Sequence, residues 1–323
     1  MFPKVRRLPS PDRFTRVEQP FHGFKLRKEP SGYHWFNRVT GTHIIVDEVS
    51  PLPASWSTAP RILSIALSNV CDLACNFCYR PRTRDTLEAT FVQRVAAVSD
   101  RLGTLEVSFG GGEPLLYPEL VPLCEWLWRH TSLGISITSH GHYLTRNIAD
   151  ALKGRISSMR FSIDGCEPYY SQIRRRPLAR LLHNIRNLSD AIPFGINAVV
   201  SPGHVGELRR VAELTIAIGA LDLLIIPEHR DGNLLLNARE WQEVQETVEL
   251  YKDRCQLTVT HTAAAHLNAE FLPIEQPADF IFAHISAGRA LQLNSYTKTG
   301  IPIRDPERMH EYFLTLRDQE KIT

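Results

Sequence analysis

The sequence lacks any uninterrupted apolar run near the roughly 18 residues that a membrane-spanning helix requires. Its N-terminal stretch MFPKVRRLPSPDRF carries charged residues with no apolar segment behind them, which argues against a secretory signal. We therefore predict that the protein has no membrane partner and is cytoplasmic. Disulfides are rare in that compartment, so clustered cysteines are expected to bind metal or to be reactive.

A large net charge is also missing. The 37 Lys and Arg residues nearly balance the 35 Asp and Glu residues, and the net charge is +2 at pH 7. No stretch combines clustered basic residues with interleaved aromatic ones, as nucleic-acid-binding segments do. The run Arg174–Arg176 does not change this view, because three arginines on a loop usually face solvent. We predict no nucleic-acid partner.

Cysteine is scarce, but half of it is concentrated in one place. Only six of the 323 residues are cysteines, and Cys71, Cys75 and Cys78 fall within eight residues of one another. The spacing fits a metal site, a reactive thiol cluster or one buried helix face. Three thiolates can hold three irons of a 4Fe-4S cluster and leave the fourth iron open. Zinc with three cysteines and a fourth ligand is the alternative, which is disfavoured because structural zinc sites usually pair cysteines two to four residues apart in two separate clusters, and no second pair of that form is present.

The chain divides into three parts by pattern. Residues 1–60 contain three short strand-like runs and a proline-containing linker, so we predict a small β appendage. From residue 61 to 254 a strand is followed by a helix six times, which predicts a parallel α/β sheet. Six units are too few to close an eight-stranded barrel, so we expect a partial (βα)6 barrel. Residues 255–323 predict a further α/β extension with a strand, a short helix and a hairpin.

Unusual segments follow the first four predicted barrel strands. The cysteine loop follows the first strand and GGGEP the second, while Ser139-His140 and Asp164-Gly165 follow the third and fourth. The carboxyl ends of parallel strands lie at one rim, where such folds place their chemistry. A position directly after a strand also disfavours the helix-face interpretation of the cysteines. Asp164 precedes glycine, and we interpret it as an Asx turn.

These motifs resemble those of the radical SAM superfamily. CDLACNFC has the superfamily's cysteine spacing, and FGGGEP resembles its glycine-rich segment. SITSHG resembles the third-strand segment of the superfamily, and INAVV resembles its fifth unit. FSIDG and the following YYSQIRRRP resemble segments of the peptide-maturase (SPASM-type) branch. The resemblance covers residues 61–230 and implies one 4Fe-4S cluster and S-adenosylmethionine (SAM) as cofactors. It implies that Cys71, Cys75 and Cys78 bind the cluster.

The resemblance also suggests which residues contact SAM. The amine would be accepted by Glu113 and by the carbonyls of Gly111 and Gly112. The SAM carboxylate would be bound by Ser162 and Arg174. The remaining contacts are assigned to Ser139 at the ribose, Phe77 at the adenine, and Asn197 as a further contact. His140 stands where the family has asparagine, which departs from its pattern.

The implied reaction begins with reductive cleavage of SAM to a 5′-deoxyadenosyl radical, which takes a hydrogen atom from a substrate C–H bond. The branch suggests maturation of a ribosomally made peptide; the alternatives are a small-molecule natural-product intermediate or a non-catalytic member of the family. A reductant such as flavodoxin or ferredoxin is implied.

Cys255 is the only cysteine after Cys166, so auxiliary clusters are not expected. Cys166 is a candidate hydrogen-atom donor, and Glu228, His229 and Arg230 are candidate substrate contacts.

Overall fold

The computed structural model describes residues 23–186, 188, 192–230, 233–268 and 279–320. The first 22 residues of the predicted appendage therefore lie outside the described residues. The rest of the appendage forms a three-stranded antiparallel sheet in the order β1-β2-β3. Its strands are β1 (Lys25–Glu29), β2 (Gly32–Asn37) and β3 (Thr42–Val46).

Strands and helices then alternate along the chain, as the sequence pattern predicts. The elements are β4 (Ile62–Ser68), α1 (Ala89–Arg101), β5 (Glu106–Gly111), α2 (Leu120–His130), β6 (Gly134–Ser139), α3 (Arg146–Leu152), β7 (Ser158–Ser162), α4 (Tyr169–Arg174), α5 (Leu178–Arg186), β8 (Phe194–Val200), α6 (Glu207–Ala217) and β9 (Asp222–Pro227). A small hairpin of β10 (His229–Arg230) and β11 (Asn233–Leu234) precedes α7 (Ala238–Tyr251).

The six strands β4 to β9 lie side by side in chain order and are all parallel. This confirms the predicted α/β partial barrel. Alternate residues of the strands, such as Val107 and Phe109 of β5, are buried in the core. Residues of the opposite parity include Arg160 and Asn197, which hydrogen-bond to each other across neighbouring strands.

The C-terminal residues extend this same sheet at both edges. They form β12 (Gln256–Val259), α8 (His261–Ala264), β13 (Phe282–Ile285), β14 (Ala290–Gln292), β15 (Ile301–Pro302) and α9 (Met309–Glu320). β12 pairs in parallel with β9, and β13 pairs in parallel with β4. The predicted strand, short helix and hairpin are present, whereas α9 was not predicted. An open barrel leaves edge N–H and C=O groups unpaired, and these added strands pair with them. The domain division at residue 254 stays a prediction.

The three-stranded sheet packs at the N-terminal ends of the barrel strands, opposite the rim that carries the motifs. Arg27 is 1% exposed and donates to the carbonyl of Gly103, just before β5 (2.8 Å). Its neighbour on β1, the buried Glu29, accepts hydrogen bonds from Arg27 and from Arg61 beside β4. Buried charges need partners of this kind. Within the described ranges, every helix falls short of the length and apolar character that a bilayer crossing needs.

Candidate cluster and SAM site

The cysteine loop follows β4 without forming a helix, since the next helix begins only at Ala89. This excludes the helix-face interpretation. All three cysteines are free thiols. The buried guanidinium of Arg80 donates to the carbonyls of Asn69 (2.7 Å) and Leu73 (2.9 Å). Arg80 therefore ties the end of the loop back to its beginning, a role that sequence reasoning missed.

Gly111 and Gly112 bring the segment after β5 against the start of the cysteine loop. Gly111 has φ +100°, and a Cβ there would lie 2.5 Å from the Ser68 carbonyl oxygen. A Cβ at Gly112 would lie 2.0 Å from the Val70 carbonyl oxygen. The Gly112 N–H donates to Ser68 (2.6 Å). Only glycine permits such an approach. The structure thus gives these glycines a contact with the cysteine loop, and their predicted contact with the SAM amine stays a prediction.

Glu113 is 2% exposed, and its carboxylate accepts hydrogen bonds from groups at the C-terminal ends of β5 and β6. It accepts from the N–H of Leu115 (2.9 Å), the hydroxyl of Ser139 (2.6 Å) and the N–H of His140 (2.9 Å). These bonds fix the carboxylate beside the cysteine loop. The hydroxyl hydrogen of Ser139 is thus used by Glu113, and the predicted ribose contact of Ser139 stays a prediction.

His140 connects Glu113 to the cysteine loop. Its Nδ1 accepts from the N–H of His142 (3.2 Å), which leaves the ring hydrogen of the neutral form on Nε2. Nε2 lies 3.0 Å from Asp72 Oδ1 and 3.1 Å from Glu113 Oε2. Asp72 Oδ2 accepts from Arg176 (2.8 Å). Sequence reasoning saw His140 only as a departure from the family pattern, whereas the structure makes it a link between two motifs.

Arg174 and Asp164 form a buried ion pair at the same rim. Arg174 donates from Nε to Asp164 Oδ2 (2.7 Å), and its Nη2 lies 2.6 Å from the same oxygen. Asp164 Oδ1 accepts from the N–H of Val199 (3.1 Å). Burial alone would lower the pKa of Arg174, but the Asp164 carboxylate raises it above its ordinary value. The Asx-turn interpretation of Asp164 is therefore wrong: its side chain is the counterion of Arg174. The guanidinium also lies 5.6 Å from the Phe77 ring centroid.

Ser162 and Asn197 face each other in register on β7 and β8. The side chain of Asn197 already accepts from Arg160, which also pairs with Asp222 (2.9 Å). Asn197 is therefore part of a polar network inside the barrel, and its contact with SAM stays a prediction, as does that of Ser162.

A cavity of about 590 Å³, here called the rim pocket, opens beside the cysteine loop. Its lining includes Asn76, Tyr169, Arg175, Ser201, Glu228 and Arg230. Glu228 is buried and pairs with Arg230 (3.2 Å). The structure thus brings two of the three predicted substrate residues to one cavity. Whether they contact substrate stays a prediction.

Two predicted residues lie apart from the rim pocket. His229 stacks on Tyr296, with ring centroids 4.7 Å apart, and burial lowers its pKa. Cys166 packs against the hydrophobic core, and its backbone N–H donates to Glu207 (2.8 Å). Burial raises the pKa of the Cys166 thiol, and the pocket lining does not include it. Its role as a hydrogen-atom donor stays a prediction.

Residues 65–215, which carry these motifs, match the family model of the radical SAM superfamily. These residues form a radical SAM domain. Its three free thiols on one loop suit a 4Fe-4S cluster with one open iron, and the fixed Glu113 carboxylate beside them suits the amine of SAM. A 4Fe-4S cluster and SAM are therefore the cofactors of this domain.

Similarity to characterised proteins is distant. A GTP 3′,8-cyclase from Corynebacterium glutamicum (strain R) is 30% identical over 197 residues, which are 56% of this chain and 50% of that protein. A PqqA peptide cyclase from Streptomyces rochei is 26% identical over 170 residues, 50% of this chain and 46% of that protein. The chain thus spans about half the length of the curated relatives it matches.

Similarity in fold extends well beyond residues 65–215. The crystal structure of SuiB from Streptococcus suis, bound to its precursor peptide SuiA, superposes with a TM-score of 0.72. The match covers 93% of this chain and 90% of SuiB at 15% identity. At that identity the likeness establishes the fold, including the parts outside residues 65–215.

Proposed function

We propose that the protein is a radical SAM enzyme that removes a hydrogen atom from a C–H bond of a ribosomally made peptide. The observation that carries the proposal is the set of three free thiols on one loop beside the buried carboxylate of Glu113. When bound, the reduced cluster and SAM supply the 5′-deoxyadenosyl radical that takes the hydrogen atom. A small reductant protein, such as a flavodoxin or ferredoxin, would deliver the electron.

The residues of the rim have separate tasks in this proposal. The thiols of Cys71, Cys75 and Cys78 bind three irons. Glu113 accepts the SAM amine, assisted by the carbonyls of Gly111 and Gly112. Arg174 uses only two of its nitrogens on Asp164, so its remaining N–H groups are available for the SAM carboxylate.

The remaining proposed contacts complete the SAM site. They are Ser162 at the SAM carboxylate, Phe77 at the adenine, and Ser139 and Asn197 as polar contacts. The rim pocket, with Glu228 and Arg230 in its lining, is proposed to bind the substrate.

Two likenesses support a peptide as substrate. SuiB, which shares the fold over nearly the whole chain, was crystallised with its precursor peptide. The PqqA peptide cyclase is a distant relative in sequence. The second candidate is the same radical chemistry on a small molecule, which the similarity to a GTP 3′,8-cyclase favours.

The decisive experiment is anaerobic reconstitution followed by addition of dithionite and SAM. The wild-type protein should bind about four irons per chain and release 5′-deoxyadenosine and methionine. Cys75→Ala should bind less iron and release neither product. Iron binding without 5′-deoxyadenosine would instead favour a non-catalytic scaffold. Incubation with a precursor peptide encoded beside this chain, or with GTP, would then separate the two substrates by mass change.

A further inference from the structure

Two non-glycine residues have a positive φ within the described ranges, and both are arginines. They are Arg175, with φ 55°, and Arg289, with φ 61°. A β-carbon is unfavourable in this left-handed region, which glycine occupies easily. A non-glycine residue there needs a compensating interaction, and such positions cluster at functional sites.

The folded structure explains Arg289. This residue lies in the turn between β13 and β14, and its guanidinium pairs with Glu88. The same guanidinium lies 4.8 Å from the ring centroid of Phe91, a cation–π contact. Arg289 thus gains two interactions that glycine could not make.

The folded structure offers no such explanation for Arg175. Its backbone N–H ends α4 by donating to the Ser171 carbonyl (3.0 Å), which a glycine would do equally well. Its side chain is exposed and has no ion-pair or hydrogen-bond partner among the described residues. The arginines on either side differ, because Arg174 binds Asp164 and Arg176 binds Asp72.

Arg175 lies in the lining of the rim pocket. The other charged residues of that lining are Glu228 and Arg230, which pair with each other (3.2 Å). The guanidinium of Arg175 is therefore a positive charge that no lining carboxylate neutralises. Guanidinium groups bind carboxylates and phosphates through two parallel N–H donors.

We propose that Arg175 binds an anionic group of the substrate, a carboxylate or a phosphate, in the rim pocket. The inference rests on the proposed function and narrows its substrate class to molecules that carry such a group. It also accounts for an arginine where the backbone favours glycine.

The test measures anion binding to the reconstituted protein by anaerobic calorimetry, without turnover. The probes are N-acetyl-Glu-Glu-amide for a carboxylate and inorganic pyrophosphate for a phosphate. Wild type should bind one of them saturably, and Arg175→Gly should weaken that binding at least tenfold. The affinity of Arg175→Lys should lie between those of wild type and Arg175→Gly, because lysine keeps the positive charge but lacks the two parallel N–H donors.

Arg289→Gly is the matched control. It also replaces an arginine of positive φ by glycine, but at a position that is not in the lining of the rim pocket. It should leave the probe affinity unchanged. Arg175→Gly should melt no lower than wild type, because glycine relieves the positive φ. If Arg175→Gly does melt lower, the binding test uses Arg175→Asn instead, because asparagine also tolerates a positive φ. Equal affinity in Arg175→Gly and wild type, or no saturable binding of either probe to wild type, would overturn the proposal. Failure of the proposed function would appear separately, as absence of 5′-deoxyadenosine.

Discussion

The Nε2 atom of His140 lies 3.1 Å from Oε2 of Glu113, a carboxylate that three other donors already hold. A carboxylate offers about four acceptor sites, so these three donors leave one site for the proposed SAM amine. Nε2 of His140 is not a fourth donor, because its hydrogen bond is with Asp72, 3.0 Å away. Glu113 is thus fixed in place by its three donors.

Glu113→Gln should weaken SAM binding. The substitution keeps the size of the side chain but replaces a charge-assisted hydrogen bond with a neutral one. Hydrogen bonds to charged groups contribute about 1.5 to 3 kcal/mol, which corresponds to a roughly 10- to 150-fold rise in Kd. Anaerobic equilibrium dialysis with labelled SAM would measure it. Glu119→Gln, at an exposed acid on the same segment, should bind SAM as wild type does. Equal affinities for the Glu113 and Glu119 variants would contradict the assignment.

Asp164 and Arg174 offer a second prediction, about stability. Their side chains are 1% and 9% exposed, so the loss of one charge leaves the other buried without a counterion. Asp164→Asn should lower the free energy of unfolding by about 3 to 5 kcal/mol. Urea unfolding of the reconstituted protein, monitored by circular dichroism, would measure it.

The double variant Asp164→Asn/Arg174→Met is a second test of this ion pair. It removes both charges and should be more stable than Asp164→Asn alone, because no buried charge remains uncompensated. Arg176→Met, at a half-exposed arginine paired with Asp72, should lower stability much less. If Asp164→Asn unfolds at the same urea concentration as wild type, the pair does not stabilise the fold.

The sequence alone was sufficient for the barrel and for the arrangement of its motifs. Strand and helix periodicities are local, and six parallel strands in chain order bring GGGEP and the cysteine loop to one rim. The role of Asp164 could not be predicted in this way. An Asp-Gly dipeptide predicts a turn locally, but the partner of Asp164 is ten residues away, at the last position of α4. Likewise, β12 and β13 pair with strands more than 30 residues distant.

The three candidate substrate residues divide between two sides of the chain. Glu228, His229 and Arg230 directly follow β9 and continue in extended conformation. Alternate residues of an extended segment point to opposite sides. Glu228 and Arg230 accordingly line the rim pocket, while His229 stacks on Tyr296. The two-residue repeat of an extended chain therefore predicts that His229 points away from Glu228 and Arg230, without any knowledge of the fold.

His284 leads to a prediction about pH. It is 3% exposed on β13, where its Nδ1 lies 3.0 Å from the hydroxyl of Ser64 on β4. Burial lowers its pKa to about 4, whereas a histidine in an unfolded chain has a pKa of about 6.5. Between these values the unfolded chain takes up a proton that the folded protein does not. The contribution of His284 to stability is therefore complete above pH 6.5 and is lost as the pH falls towards 4.

His284→Asn should make the protein less sensitive to acid. Asparagine can still hydrogen-bond to Ser64 but does not titrate, so the loss of unfolding free energy between pH 7 and pH 5 should shrink by about 2 kcal/mol. Urea unfolding at both pH values would measure this difference. The pKa values of His43 and His142 are also lowered to about 4 by burial, so part of the acid sensitivity should remain. The exposed His183, replaced by Asn, should leave the pH dependence unchanged. If His284→Asn and wild type lose the same unfolding free energy between pH 7 and pH 5, the folded protein protonates His284 as readily as the unfolded chain does.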